Sequence, residues 1–260
     1  MIREERFDRI LAKVDESGYA SVTDLSKLVG VSEVTLRRDL TDLENKNLLK
    51  KVHGGAKSLK KFFDKNENYQ NKMAQNVSLK KEIAELASKA IEDKDIVFLG
   101  AGATSYFITE HIHEKEITVI TNSQIILDVL SNYKNIKLIC IGGTYRRETR
   151  SYIGPLSEKV VSDMRFNKCF IGVNGIDIEN VYTSSLEASI LYSKVLDNST
   201  NKYIIADHNK FNVVDFSSFY KTKDISTIIT DDQIDNTLMR QFARKLSIIN
   251  KKIYNKTINN

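Results

Sequence analysis

Tryptophan is absent from this sequence of 260 residues, proline occurs once, cysteine twice and glycine eleven times. So little proline and glycine excludes a collagen-like chain or one dominated by flexible linkers. Two cysteines, Cys140 and Cys169, each inside an apolar run, exclude a disulfide framework. Both are expected to be buried, reduced thiols of a cytoplasmic protein. No apolar run approaches the roughly 20 residues that span a bilayer. The opening MIREERFDRI has neither an apolar signal core nor a cleavage site, so no membrane association and no secretory route are expected. Charge is only modestly one-sided, at +5, which is compatible with a nucleic-acid partner without requiring one. What is present is a 41% apolar, 28% charged chain, long enough to bury a core without disulfides or metals. At roughly 100–200 residues per domain it makes one large domain or two.

Charge is unevenly placed. Lys46, Lys50, Lys51, Lys57, Lys60, Lys61 and Lys65 face a single acid, Asp64, across residues 46–65. Such a run is either a phosphate-contacting face or a solvated, lysine-rich linker. It follows a compact helical pattern. Ile2, Phe7, Ile10, Leu11 and Val14 recur at helical spacing until Ser17-Gly18 stops them. Val22, Leu25, Leu28 and Val29 predict a second, short helix capped by Ser21 or Thr23. After Gly30, Ser32 caps a third, whose apolar face is expected to carry Val34, Leu36, Leu40 and Leu43. Lys50 to Ala56 read as a short strand and a Gly-Gly turn.

Two short helices, a tight turn and a third helix make a helix-turn-helix, in which the last helix places its N-terminal side chains at base edges in the major groove. Ser32, Glu33, Thr35, Arg37, Arg38 and Thr41 lie off the expected core face. Arginine binds guanine O6 and N7 bidentately, and Ser and Thr reach bases or phosphates. The alternative for Arg37 or Arg38 is an ion pair with Asp39 or Asp42. Residues 22–56, VTDLSKLVGVSEVTLRRDLTDLENKNLLKKVHGGA, closely resemble the winged helix-turn-helix of the DeoR family of bacterial transcriptional repressors, through GVS, TLRRDL, the LE pair and HGGA. The resemblance implies that Arg37 and Arg38 sit on the recognition helix and that His53, Gly54 and Gly55 shape a wing close to DNA. Lys50 and Lys51, beside the wing, are expected on phosphates.

Residues 58–76 lack strong periodicity and read as a linker between a DNA-binding domain at 1–57 and an α/β domain at 77–260. In the latter, apolar runs at 96–99, 117–121, 137–141, 169–173, 203–206, 227–230 and 248–253 alternate with helical stretches such as 105–113, 123–132, 185–197 and 236–246. That alternation predicts a largely parallel sheet with helices on its faces. After the first run comes GAGATS, residues 100–105. A strand, a glycine turn and a helix N-terminus together favour an anion, although short glycine loops are also common as plain turns. TNS (121–123), IGGTYR (141–146), FIGVNGID (170–177), SSLEAS (184–189) and ADHNKF (206–211) follow. Asp177, Glu187, Asp207 and Lys210 are the polar groups that could converge at the strand ends, where open α/β sheets bind ligands. For Asp177 and Asp207 the alternative is turn or capping duty. His111 and His113 face different directions on a helix and are expected to be surface residues.

These segments resemble the DeoR-type sensor domain, whose fold is similar to that of ribose-5-phosphate isomerase and the CoA transferases. The resemblance implies that Gly102, Ala103, Thr104 and Ser105 cradle a phosphate and that Asp177, Glu187 and Lys210 face a sugar, with Asp207 beside them. The chain departs from many relatives at Gly100, where they carry an acid, and at Asn180-Val181, where they carry glycine. The function expected is a repressor of a carbohydrate-catabolic operon. Operator DNA and a phosphorylated sugar are its expected partners, and no metal or cofactor is expected. Paired half-sites imply a homo-oligomer. The alternative is a sugar-phosphate isomerase with an accessory DNA-binding domain, since Glu187 and Lys210 could serve proton abstraction beside a carbonyl. Fold similarity alone transfers no activity.

Overall fold

The structure, a computed structural model, describes residues 2–46, 48–52, 54–58 and 73–258. The chain divides into two compact units, Met1–Asn66 and Glu67–Asn260. His53, Lys60, Lys61 and Lys65, with most of the expected 58–76 linker, lie outside the described residues.

In the first unit, α1 (Arg3–Ser17) ends where expected, at Gly18 in the left-handed conformation. α2 (Val22–Val29) is capped by Ser21, whose Oγ accepts from the Asp24 amide at 3.0 Å. α3 (Glu33–Asn45) is capped by Ser32, which accepts from the Thr35 amide at 3.2 Å. β2 (Leu49–Val52) and β3 (Gly55–Ser58) form the wing. A third strand, β1 (Tyr19–Ser21), completes an antiparallel sheet in the order β1-β3-β2. Three residues are too few for an alternating pattern to announce a strand, which is why the sequence did not show it. Ile10, Val14, Leu25, Leu36, Leu40, Leu43 and Leu49 fill the core.

One expected core residue is not there. Val34 is 65% exposed. The buried stripe of α3 is Leu36, Asp39, Leu40 and Leu43. Asp39 takes its place by pairing with Arg6, whose Nε and Nη2 donate to the carboxylate at 2.6 and 3.1 Å. That hydrogen bond holds the guanidinium pKa above its ordinary value.

In the second unit, the strands β4 (Ile96–Leu99), β5 (Thr118–Thr121), β6 (Lys137–Cys140), β9 (Phe166–Gly172), β12 (Ser199–Ile205), β14 (Thr227–Ile229) and β15 (Ser247–Ile249) form one parallel sheet. Its order is β15-β14-β12-β9-β4-β5-β6. The chain starts in the middle at β4, runs outward through β5 and β6, then returns to β9 and runs outward the other way. Period-two alternation sends Phe98, Cys169, Ile171, Ile204 and Ile228 to one face and Val97, Leu99, Phe170, Ile205 and Ile229 to the other. Both faces are therefore covered by helices, as parallel sheets require. α4 (Val77–Lys89), α5 (Ala103–Ile112) and α6 (Gln124–Leu130) cover the second face. α7 (Pro155–Ser162), α8 (Leu186–Asp197) and α9 (Asn236–Ala243) cover the first.

The apolar run at 248–253 divides between β15 and a terminal helix, α10 (Lys251–Ile258). Two small antiparallel sheets were not legible in the sequence: β7 (Thr144–Arg146) with β8 (Ser151–Ile153), and β10 (Gly175–Ile176) with β11 (Asn180–Thr183) and β13 (Ser217–Lys221). Cysteine burial is only half as expected. Cys169 lies in the sheet centre, where burial pushes its thiol up to about 11. Cys140 is exposed, because β6 is an edge strand.

Leu40→Ala removes a fully buried side chain from the small core of the first unit. It is expected to destabilise that unit by about 2–5 kcal/mol. Native-state hydrogen exchange checks this: protection should fall across α1 to α3 and stay unchanged in β4 and β9.

Candidate functional site

Two surfaces carry chemistry. The first is the outer face of α3 with the wing. Arg37 and Arg38 are both exposed. Neither pairs with Asp39 or Asp42, because Arg6 holds Asp39 and Arg3 pairs with Asp42. Arg37 instead lies 3.7 Å from Glu33, one turn earlier. Glu33 also accepts from the Thr23 hydroxyl at 2.9 Å, which ties α3 to α2. The hydroxyls of Ser32 and Thr35 lie 3.0 Å apart.

The wing is tied to the same helix. Lys50 Nζ meets Glu44 at 3.1 Å, and Lys51 Nζ donates to Thr41 Oγ1 at 2.9 Å. Both lysines remain exposed. Gly54 turns the wing with φ +80°, a region that favours glycine. Gly55 is fixed by packing: a Cβ there would fall 2.3 Å from the Ala20 carbonyl oxygen, so only glycine lets β3 lie against β1. His53 lies outside the described residues.

The second surface is a cleft at the C-terminal ends of the parallel strands, where the strand order reverses between β4 and β9. Loops leaving these two strands part to opposite sides there and leave a crevice. Ala101, Gly102, Ala103 and Thr104 line it after β4, Gly172 and Asn174 after β9, and Asp207 and Lys210 after β12. The 100–105 loop is held from below. Asn122, fully buried, accepts from the Ala101 amide at 2.8 Å and donates to the Tyr152 carbonyl at 3.2 Å. Tyr192 donates to the Ala101 carbonyl at 3.4 Å.

α5 therefore opens on a fixed loop, and no side chain among the described residues caps it. Its first amide groups and the positive end of its dipole face the cleft. Ser105 Oγ, fully buried, has no hydrogen-bond partner among the described residues. Gly102 is extended, and a Cβ on it would meet only Ser105 Oγ at 3.9 Å. The charged side chains lining the cleft are Lys80, Arg146, Lys210 and Asp207, a net positive set. Buried Asp207 also accepts from the Asn209 amide at 3.1 Å, so it caps a turn and lines the cleft at once.

Two expected residues are placed elsewhere. Asp177 lies in the β10–β11 hairpin. It accepts from the amides of Glu179 and Asn180, each at 2.8 Å, and from the Tyr182 hydroxyl at 2.6 Å. It does turn duty, the alternative the sequence left open, and does not line the cleft. Glu187 lies in the first turn of α8, in an adjoining groove with Arg146, Glu148 and Leu186. Its own amide and the Ser185 hydroxyl hold its carboxyl below the usual range.

Arg146 and Lys80 also line the cleft, and sequence reasoning does not reach them. Arg146 stands at the end of the IGGTYR motif, but nothing local says that this segment folds back over the cleft. Lys80, only 7% exposed, sits on α4 among residues that read as an ordinary amphipathic helix. A lysine on the buried face of that helix was the one available signal.

Comparison with known proteins agrees with both halves. Residues 6–62 match the DeoR-like helix-turn-helix domain, and residues 75–232 match the DeoR C terminal sensor domain. The lactose phosphotransferase system repressor of Streptococcus mutans is 33% identical over 252 residues, which are 96% of this chain and 100% of that protein. The repressor of the same name from Staphylococcus aureus is 32% identical over 233 residues, 89% of this chain and 93% of that protein. Among solved structures, ribose 5-phosphate isomerase A from Methanocaldococcus jannaschii aligns at 16% identity with a TM-score of 0.39. The alignment spans only about half of each, 53% of this chain and 55% of that one. With family matches that together run through the helix-turn-helix and most of the α/β domain, and with relatives similar over nearly their whole length, the chain belongs to the DeoR family.

Proposed function

We propose that this protein represses a carbohydrate-catabolic operon and that a phosphorylated sugar, bound in the cleft at the β4–β9 reversal, controls it. Membership of the DeoR family and the similarity to two lactose phosphotransferase system repressors support the repressor reading. The observation that carries the effector reading is the N-terminus of α5, which, like the buried Ser105 hydroxyl in its first turn, has no side-chain partner among the described residues, with three cationic side chains lining the same cleft. Amides, a dipole and cations together select a phosphate dianion. Asp207 and Asn174 supply groups for sugar hydroxyls. A monomeric head reads one half-site, so the active species is a homo-oligomer with paired heads. Among the described residues, no helix is long and apolar enough to cross a membrane. The enzyme alternative is disfavoured: Glu187, the carboxylate it would use as a base, lies outside the cleft with its charge stabilised.

The deciding experiment is a thermal-shift screen of phosphorylated sugars. A ligand that binds the folded state raises the melting temperature, the more so the greater its excess. The positive ligands are then titrated against operator binding. No shift with any phosphorylated sugar would overturn the effector assignment.

Arg37→Ala and Arg38→Ala should each weaken operator binding by about 1–3 kcal/mol, with relaxed base preference where the arginine meets guanine. Fluorescence anisotropy at fixed salt measures this, and sugar-phosphate affinity should not change. Reversing charge at Lys50 and Lys51 should weaken binding to all duplexes alike. The log–log salt slope should become shallower by about one for each phosphate that is no longer neutralised. Thr104→Glu should abolish the response to effector, because its carboxylate competes for the α5 amides and repels phosphate. Lys210→Ala should weaken the same response. Both variants should still bind operator without effector, and titration of operator binding against the sugar phosphate separates these results.

A further inference from the structure

Val34 stands where an apolar side chain has no structural use. The buried stripe of α3 is Leu36, Asp39, Leu40 and Leu43. At 3.6 residues per turn, Val34 points about 170° away from the centre of that stripe. Arg37, Arg38 and Thr41 lie on the same outward ridge, one and two turns further on. Val34 is 65% exposed, the most exposed large apolar side chain after Ile2 among the described residues of the helix-turn-helix. It is the second residue of the helix whose N-terminal side chains meet base edges in this motif.

Its neighbours sharpen the point. Ser32 caps the helix and lies 3.0 Å from the Thr35 hydroxyl. Glu33 is held by Thr23 and by Arg37. Ser32, Glu33 and Thr35 are exposed but already have partners, and the apolar group that the first turn presents outward is the Val34 isopropyl. A β-branched side chain in a helix occupies essentially one rotamer, so its two methyl groups are fixed in direction before they meet anything. Valine is also a poorer helix former than alanine at an exposed site, so helix stability does not explain it.

In the major groove the one apolar feature of a base edge is the C5-methyl of thymine. We propose that Val34 reads this methyl group, making it a specificity-determining residue for a thymine near the start of α3 in each half-site. This rests on the DNA-binding reading above. Arg38, on the same ridge, reads the next positions through hydrogen bonds, so polar and apolar readout are divided between successive turns.

The test uses the full chain and a duplex selected by the wild-type protein from a random-sequence pool. Each thymine of that duplex is replaced in turn by deoxyuridine, which removes one methyl and leaves the hydrogen bonds unchanged. For wild type, one thymine per half-site should be methyl-sensitive, with about fourfold weaker binding, the equivalent of one apolar carbon left in water. Val34→Ala should bind the parent duplex several-fold more weakly, and deoxyuridine at that same position should then cost it little more. Alanine keeps the helix, and an unchanged melting temperature confirms it. If no thymine is methyl-sensitive, or if Val34→Ala keeps both the parental affinity and the parental methyl sensitivity, the proposal is overturned. Arg38→Ala separates the two levels: if it loses affinity while Val34→Ala does not, the DNA-binding reading stands and the Val34 reading falls. If wild type selects no duplex, both fall.

Discussion

Burial of the central sheet on both faces is the constraint from which the sensor half follows. Apart from Ile96 at its start, β4 is buried on both sides, and in β9 Phe166 and every residue from Lys168 to Ile171 are buried. A strand so placed has no face on which to display polar groups. Chemistry can sit only where the strands end. The strand order then decides which end matters, because loops diverge only where the order reverses, between β4 and β9. The GAGATS loop leaves one of these strands and the Gly172–Asn174 loop the other. Their meeting is a consequence of topology, and Asn122 and Tyr192 hold the result in place through the backbone of Ala101.

The helix-turn-helix obeys the same rule on a smaller scale. A core this small has room for one stripe of α3. Leu36, Leu40 and Leu43 occupy it, and Asp39 is admitted because Arg6 satisfies its carboxylate in a bidentate way. A buried carboxylate without such a partner would be costly. That pairing takes the nearest acid away from Arg37 and Arg38, and Arg3 takes the next, Asp42. Helical phase puts the two arginines on the outward side of α3, away from the inward charges that Arg3 and Arg6 match. Arg37 keeps a weak partner in Glu33, which orders it along the helix without burying it.

Control of DNA binding by a ligand needs only that the ligand bind the DNA-competent and DNA-incompetent forms with different affinity. The cleft has features suited to such a difference. The proposed anion cradle is a loop held by Asn122 and Tyr192, whereas Lys80, Arg146 and Lys210 approach from separate segments: α4, the β7–β8 hairpin and the turn after β12. A phosphate drawn between them links segments far apart in sequence. Arg146 also lines the adjoining groove with Glu187 and Leu186.

Elements whose signal is local were legible in the sequence. Gly18, Gly30 and the caps Ser21 and Ser32 announced the three helices, and alternating apolar runs announced the parallel strands to within a few residues. The 100–105 loop was legible as strand, glycine turn and helix start. The remainder depends on which distant groups meet, and that is settled by packing. Asp177 looked like a ligand and is consumed by its own hairpin, because two amides and Tyr182 reach it first. Glu187 settled on its own helix start, and Arg146 and Lys80 enter the cleft from segments distant in sequence from its loops. Cys140 is exposed because β6 has no outer neighbour, a fact of strand order and not of hydropathy. Val34 fits a helical apolar pattern as well as its neighbours do, and the sequence placed it inside. Packing placed it outside, because one stripe of α3 faces a small core and Asp39, paired with Arg6, filled the remaining position.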